Sequence, residues 1–401
     1  MSARRGSGCA WAVVLVLAGV VAGLAFALAN GASVSLPLPA PVAEIANRLS
    51  PGIAKVEPTI LLEDIDEDGL GFASLTDDQK ILYQQMLDGV RAMEESITLT
   101  GGTEYDVEPT FHALMIDHPE LFWLDGSTRF TYFEGGGTIH LTPGLCMDLE
   151  QVDEVRERIE EAADEFLSTI PAGADDFTKM RMAYEYVIDT TDYDVGVIQN
   201  QNIQSVFLYH ASVCAGYSRA FQYLLQRAGV YCSFVEGRIP STGEDHAWNI
   251  VRIGDDYTYV DVTWGDPTYP GLEDASLGTV YDYLGLTTDE LLRDDHVFSD
   301  ASMWPEAASP ELNYYVRQGL MFSSADEGLL SASLWAQLEE GAYPVVFRFD
   351  NEAAYAAVRG QLATGEFLLD DIRQILMSQG TLSQGYQYSF SDALTIVKLF
   401  L

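Results

Sequence analysis

The stretch Val213-Cys214-Ala215-Gly216-Tyr217-Ser218-Arg219-Ala220-Phe221-Gln222-Tyr223-Leu224-Leu225-Gln226-Arg227-Ala228-Gly229 decides the fold. Tyr217, Phe221, Leu224, Leu225 and Ala228 recur at three- and four-residue steps, the pattern of an amphipathic helix. Gly229 is a helix stop signal. Cys214 then stands at a helix N-terminus, where unpaired backbone N–H groups and the helix dipole favour an anion. A cysteine attacks as its thiolate, so this is a good place for a nucleophile. The same N–H groups can stabilise the oxyanion that forms on an attacked carbonyl.

Two further stretches follow: Asp245-His246-Ala247-Trp248-Asn249 and Tyr259-Val260-Asp261-Val262-Thr263-Trp264. Residues 246–252 and 257–263 are rich in Trp, Tyr, Val, Ile and Thr and flank Gly254-Asp255-Asp256, which reads as a β-hairpin. Side chains alternate faces along a strand, so loop length decides where His246 and Asp261 point. A four-residue loop at 252–255 puts them directly opposite, and a two-residue loop at Gly254-Asp255 puts them diagonal, both within side-chain reach. An odd loop puts them on opposite faces. Cys, His and Asp together are the parts of a nucleophilic acyl-transfer site: Cys214 attacks, His246 moves the proton, and Asp261 orients the imidazole.

Cys-x-Gly-Tyr-Ser, then His-Ala-Trp-Asn, then Val-Asp-Val-Thr-Trp-Gly-Asp-Pro, in this order, resembles the bacterial extracytoplasmic branch of the transglutaminase-like superfamily. The resemblance runs over about residues 175–300. The segment Tyr281-Asp282-Tyr283-Leu284 with Arg293-Asp294-Asp295-His296 is similar to one that follows the core in such proteins. The resemblance implies a papain-like α+β fold, a Cys-bearing helix packed on an antiparallel sheet that carries His and Asp. It assigns the nucleophile to Cys214, the base to His246 and the third member to Asp261. Related folds place an oxyanion-stabilising side chain upstream of the Cys, which points to Gln204. Trp248 and Trp264 flank the proposed His and Asp and are candidates for the walls of the substrate cleft. No cofactor is implied, and no Cys-x-x-Cys or His-rich spacing suggests a metal.

The chain has 401 residues, with 21 Lys and Arg against 61 Asp and Glu, a formal net charge of −40. A surface so acidic repels nucleic acid and anionic lipid and favours neutral or basic partners. Arg4 and Arg5 precede an uncharged run from Ala10 to Ala29, the pattern of a secretory signal or a membrane anchor. The run is about twenty residues, long enough to span a bilayer. Arginines before it and acidic residues after it place the body outside the cytoplasm. The four cysteines, Cys9, Cys146, Cys214 and Cys232, do not form a disulfide framework.

This reading divides the chain into a signal or anchor (1–30), a Pro-rich acidic linker (31–71), an N-terminal α+β accessory region (72–147), the catalytic domain (148–305) and a C-terminal α/β accessory region (306–401). Asp64-Ile65-Asp66-Glu67-Asp68-Gly69 begins like a calcium loop, but its twelfth position is Leu75 where a bidentate carboxylate is needed. Thr76-Asp77-Asp78-Gln79 has the form of a capping box. A helix is expected near 107–117, a hairpin over 128–141, and helices over 148–168 and 176–189. In the C-terminal region strands are expected at 344–349, 386–390 and 394–400, with helices near 351–363 and 367–378. The function expected is a thiol enzyme acting on protein or peptide amide bonds at the cell envelope. Hydrolysis is its expected outcome, with protein cross-linking and a non-catalytic envelope assembly module as the alternatives.

Overall fold

A computed structural model of the chain describes residues 68–132, 138–266, 279–381 and 385–401. The apolar run 10–29, the proline-rich stretch after it and most of the Asp-rich loop lie outside these residues. Among the described residues no helix is long and apolar enough to cross a membrane.

The centre is a five-stranded antiparallel sheet of β6 (Cys232–Ile239), β7 (Glu244–Ile253), β8 (Asp256–Val260), β9 (Leu284–Leu286) and β10 (Val297–Phe298), in the order β10-β6-β7-β8-β9. The helix Cys214–Arg227 packs on β6 and β7. Its apolar stripe falls where the periodicity put it, with Tyr217, Phe221, Leu224 and Leu225 all buried. Each such side chain contributes roughly 1.5–3 kcal/mol by leaving water. Apolar burial sets no register along the strand, and polar bonds do that. Ser218 Oγ donates to the Ala247 carbonyl at 3.0 Å, and Asn249 Nδ2 donates to the Ser218 carbonyl at 3.0 Å and the Ser233 carbonyl at 3.3 Å. These bonds fix the height of the Cys helix against the strand that carries His246.

The β7–β8 hairpin turns through Gly254-Asp255, with Ile253 opposite Asp256. Gly254 takes φ +63, the left-handed conformation that primed two-residue turns require at this position. Of the two even loops the sequence allows, the structure has the shorter, so Asp261 follows the end of β8 diagonal to His246 and on its face.

The N-terminal region holds the helices Asp77–Arg91 and Glu104–Asp117 and a sheet of β1 (Ile97–Thr100), β2 (Leu124–Tyr132) and β3 (Thr138–Leu145), ordered β1-β3-β2. Thr76 and Gln79 form the expected capping box. The helical turn Leu70–Ala73 begins within the last two residues of the expected linker and runs past its limit, held by the buried Asp117 carboxylate, which accepts from the N–H groups of Gly71 and Phe72. One apolar cluster runs from Phe72 through Leu87 and Phe111 to Phe166, Tyr217 and Leu225. The N-terminal region therefore shares its core with the Cys helix. Helices Val152–Thr169 and Asp176–Thr190 complete that core.

The C-terminal region has its own cluster, including Leu330, Phe347, Val358 and Leu399. It holds the sheet β11-β12-β14-β13, made of Met321–Phe322, Val345–Phe349, Ile396–Phe400 and Gln387–Ser391, with helices Glu327–Glu339, Glu352–Thr364 and Leu369–Gln379. The strand and the two helices expected after 344 form within a residue or two of their predicted limits. The helix Glu327–Glu339 was not foreseen. Val346, Leu394 and Ile396 join Val235, Trp248, Ile250 and Tyr259 of the central sheet in a third cluster. Arg348 pairs with Glu290, and Lys398 with Asp282 at 2.7 Å.

Gly216, one turn into the Cys helix, has no room for a side chain. A Cβ there would lie 1.9 Å from Ser212 Oγ and 2.9 Å from both the Asn200 carbonyl and Ser205 Oγ, which are hydrogen-bonded to one another through Ser212. Gly216→Ala is expected to lose roughly 1–3 kcal/mol of stability through overpacking. Gly360→Ala, in an open helical position with nothing within 4 Å, is expected to gain up to about 1 kcal/mol. Urea denaturation of both variants beside the parent checks the pair.

Candidate active site

Cys214 is the first residue of its helix, and Val213 before it supplies no side-chain cap. A valine side chain cannot accept a hydrogen bond, so the first-turn N–H groups gain no side-chain partner from this residue. Cys214 and His246 line one cleft of about 960 Å³, with Tyr193, Gln201, Glu236 and Trp264 among its walls. The Cys214 side chain faces the same cleft as the His246 imidazole and is near enough to help raise it. The other side of that imidazole is held by Asp261, whose Oδ2 accepts from His246 Nε2 at 2.6 Å. Asp261 Oδ1 accepts from the Trp264 backbone N–H at 3.1 Å.

Asp261 is fully buried. Burial alone would raise its carboxyl. The charges and hydrogen bonds of His246 and His296 reverse this and hold it well below the usual carboxylate range. Burial alone would lower His246, but the charge and hydrogen bond of Asp261, with the Cys214 side chain, carry it up to about 10. At neutral pH this is an imidazolium–carboxylate pair with a thiol alongside, the arrangement in which an imidazolium stabilises a thiolate. The other two described cysteines differ. Burial pushes Cys146 up to about 11 and Cys232 well above the usual thiol range. Cys146, Cys214 and Cys232 are all unpaired.

Two of the expected cleft residues are elsewhere. Trp248 is fully buried, packed edge-on to His296 and beside Phe298. As part of the third apolar cluster it is a core residue and no wall of the cleft. Gln204 is also buried. Its amide donates to the Phe122 carbonyl at 3.2 Å and lies beside Cys146, so it is not placed to serve an oxyanion at Cys214. Both miss because alternation and sequence distance do not report which face a neighbouring module covers. Trp264 does line the cleft, with its ring centroid 5.4 Å from that of His246. Gln201, three residues before Gln204, is the amide that lines the cleft.

Sequence reasoning gave no role to Asn249 or Glu236. Asn249 carries the helix-to-strand bonds described above. Glu236, on the cleft wall, is paired with His112 of the N-terminal region at 2.7 Å. The cleft is also lined by Glu244, Asp245 and Asp266, and among the described residues by no Lys or Arg. Burial, then Asp192 and Asp189, raise the Asp266 carboxyl.

His246, Asp261 and His296 bring ligand atoms within 4.8 Å of one another, close enough for one metal ion. Yet 2.6 Å between His246 Nε2 and Asp261 Oδ2 is a hydrogen-bond distance. Ligands around a zinc ion at about 2.0–2.2 Å stand farther apart than this in a tetrahedron. The donor set is arranged as a proton-sharing array.

Residues 165–263 match the sequence model of the transglutaminase-like superfamily. Human kyphoscoliosis peptidase is 24% identical over 228 residues, which is 49% of this chain and 34% of that protein, so the match spans about a third of the curated relative. A crystal structure of a TGase is similar over 37% of this chain and 48% of its own, at 13% identity and a TM-score of 0.26. The periplasmic domain of TgpA from Pseudomonas aeruginosa is similar over 34% and 65%, at 12% identity and a TM-score of 0.21.

The pair of shifts sets a pH window for stability. His246 rises in the folded state from an ordinary 6.5, so its contribution is complete below 6.5 and is lost as pH climbs toward about 10. Asp261 falls from an ordinary 3.8, so its contribution is complete above 3.8 and is lost in acid. The loss of melting temperature caused by His246→Gln is therefore expected to be largest between pH 3.8 and 6.5 and to shrink steadily toward about 10. Thermal melts of both proteins across pH measure it.

Proposed function

We propose that this transglutaminase-like chain is a thiol enzyme that acts on amide bonds of a protein or peptide, with Cys214 as nucleophile, His246 as proton carrier and Asp261 as its orienting partner. The observation that carries this reading is the His246–Asp261 contact at 2.6 Å near a Cys at an uncapped helix N-terminus, with Cys214 and His246 opening on one cleft and Asp261 buried behind them. The thiolate attacks the carbonyl carbon, and the first-turn N–H groups receive the oxyanion. The tetrahedral adduct expels the amine, which takes its proton from the His246 imidazolium, and a thioester remains on Cys214. Water then attacks, giving its proton to His246, and the carboxylic acid leaves as the thiolate returns.

Hydrolysis is the reading we favour for the second step. If an amine takes the place of water, the same thioester yields a protein cross-link. A cleft lined by carboxylates and lacking Lys or Arg suits neutral or basic polypeptide. The apolar run 10–29 behind Arg4 and Arg5 supports work outside the cytoplasm, with the body tethered to the membrane or released from it.

Iodoacetamide is expected to alkylate Cys214 at pH values well below the roughly 8.5 of a free thiol. Cys146 and Cys232 are expected to stay unmodified in the folded chain, and His246→Ala to abolish the low-pH reaction. Peptide-resolved mass spectrometry reads all three sites, and an inert Cys214 would sink the enzyme reading in favour of a non-catalytic module. Trapping the acyl group on Cys214, then offering water or an amine, decides between hydrolysis and cross-linking.

A further inference from the structure

Asp261 has a second imidazole partner. His296, next to β10, is completely buried. Its Nε2 lies 3.1 Å from Asp261 Oδ2, the same oxygen that His246 Nε2 approaches at 2.6 Å. Its Nδ1 lies 3.0 Å from the Asp294 carbonyl oxygen. A carbonyl oxygen only accepts, so Nδ1 donates to Asp294, while Nε2 stands against the Asp261 carboxylate. The ring is held edge-to-face by Trp264 and Trp248, with centroids at 4.6 and 5.0 Å. Its backbone N–H donates to the Leu291 carbonyl at 3.3 Å, anchoring it to the helix Thr288–Arg293.

We propose that His296 is a positioning residue that clamps the Asp261 carboxylate, so that the proton-handling unit is a His246–Asp261–His296 array. Both oxygens of the carboxylate are then held: the Trp264 N–H on Oδ1 and two imidazoles on Oδ2. It cannot rotate away from His246 without breaking a buried bond, which costs about 1–3 kcal/mol. An anion shared between two donors also holds each less strongly than it would hold one. His246 therefore gives its proton to a leaving amine more readily than if it had Asp261 to itself. The other ionisable groups around His296 are its neighbours Asp294 and Asp295, Tyr283, and Asp282, which Lys398 and Tyr315 hold. A buried histidine kept only for packing would need neither two acceptors nor a contact with the carboxylate that orients the base.

The clamp rests on the reading of Cys214 and His246 as a working pair, so one arm of the test is independent of it. In the full chain labelled with ¹⁵N-histidine, the His296 Nε2 signal is expected to shift when Asp261 is replaced in Asp261→Asn, and an unmoved signal overturns the proposal. The second arm follows Cys214 alkylation by iodoacetamide against pH in the parent, His296→Leu and His296→Gln, each checked for folding by its melting curve. His296→Leu is expected to slow the reaction roughly tenfold, as loss of an orienting partner should, and to move the upper pH limit of His246 control upward, because Asp261 then no longer divides its charge between two imidazoles. His296→Gln restores one N–H donor and is expected to recover most of the rate. A folded Leu variant with the parent's rate and pH profile overturns the clamp. So does an equal loss in Gln and Leu that merely tracks melting temperature. If the parent's Cys214 is itself unreactive while the ¹⁵N signature holds, the thiol reading fails and the clamp stands.

Discussion

A carboxylate with no exposed surface is an expensive thing to keep ionised, and the site is organised around keeping Asp261 so. Two imidazoles and one backbone N–H replace the water it has lost. Each donor comes from a different piece of chain: strand β7, the turn after β8 and the segment before β10. The sheet order places those pieces together, since β10 returns to pair with β6 beside β7. Remove the charge of Asp261 and the reason for that convergence disappears.

The Cys helix solves a second problem, the distance between thiol and imidazole. Apolar packing of Tyr217, Phe221 and Leu225 holds the helix on the sheet but tolerates sliding. Ser218 and Asn249 prevent it, because their bonds to the carbonyls of Ala247, Ser218 and Ser233 have one satisfied register. Gly216 lets the chain entering the helix come close to the Ser205–Ser212 pair. Side chains buried behind the cleft thus set the geometry of the one that opens on it.

How much of this could be read from the sequence depends on the range of the interaction. The helix at Cys214, the hairpin carrying His246 and Asp261, and the capping box at Thr76 are local patterns, and each formed where its residues predicted. The hairpin's loop length was left between two values, because Gly254-Asp255-Asp256 permits either, and the positive φ of Gly254 goes with the shorter. Trp248 and Gln204 were misplaced for one physical reason. Trp248 is covered by the C-terminal module, and Gln204 by the loop at Phe122, contacts that no periodicity encodes. His296 belonged to a recognisable segment, yet its partner lies 35 residues back, across the sheet.

The pairing of His112 with Glu236 spans 124 residues, whereas His246 and Asp261 are 15 apart. Loop-closure entropy makes near contacts quick to form and distant ones slow. A chain emerging from synthesis can close the acid–base hairpin almost as soon as it is made. Its cleft wall must wait for helix Glu104–Asp117 to find strand β6, and the second imidazole for residue 296 to appear. Assembly of the proposed site is thereby timed by topology: His246 and Asp261 meet early, and the surroundings that would discipline them arrive last.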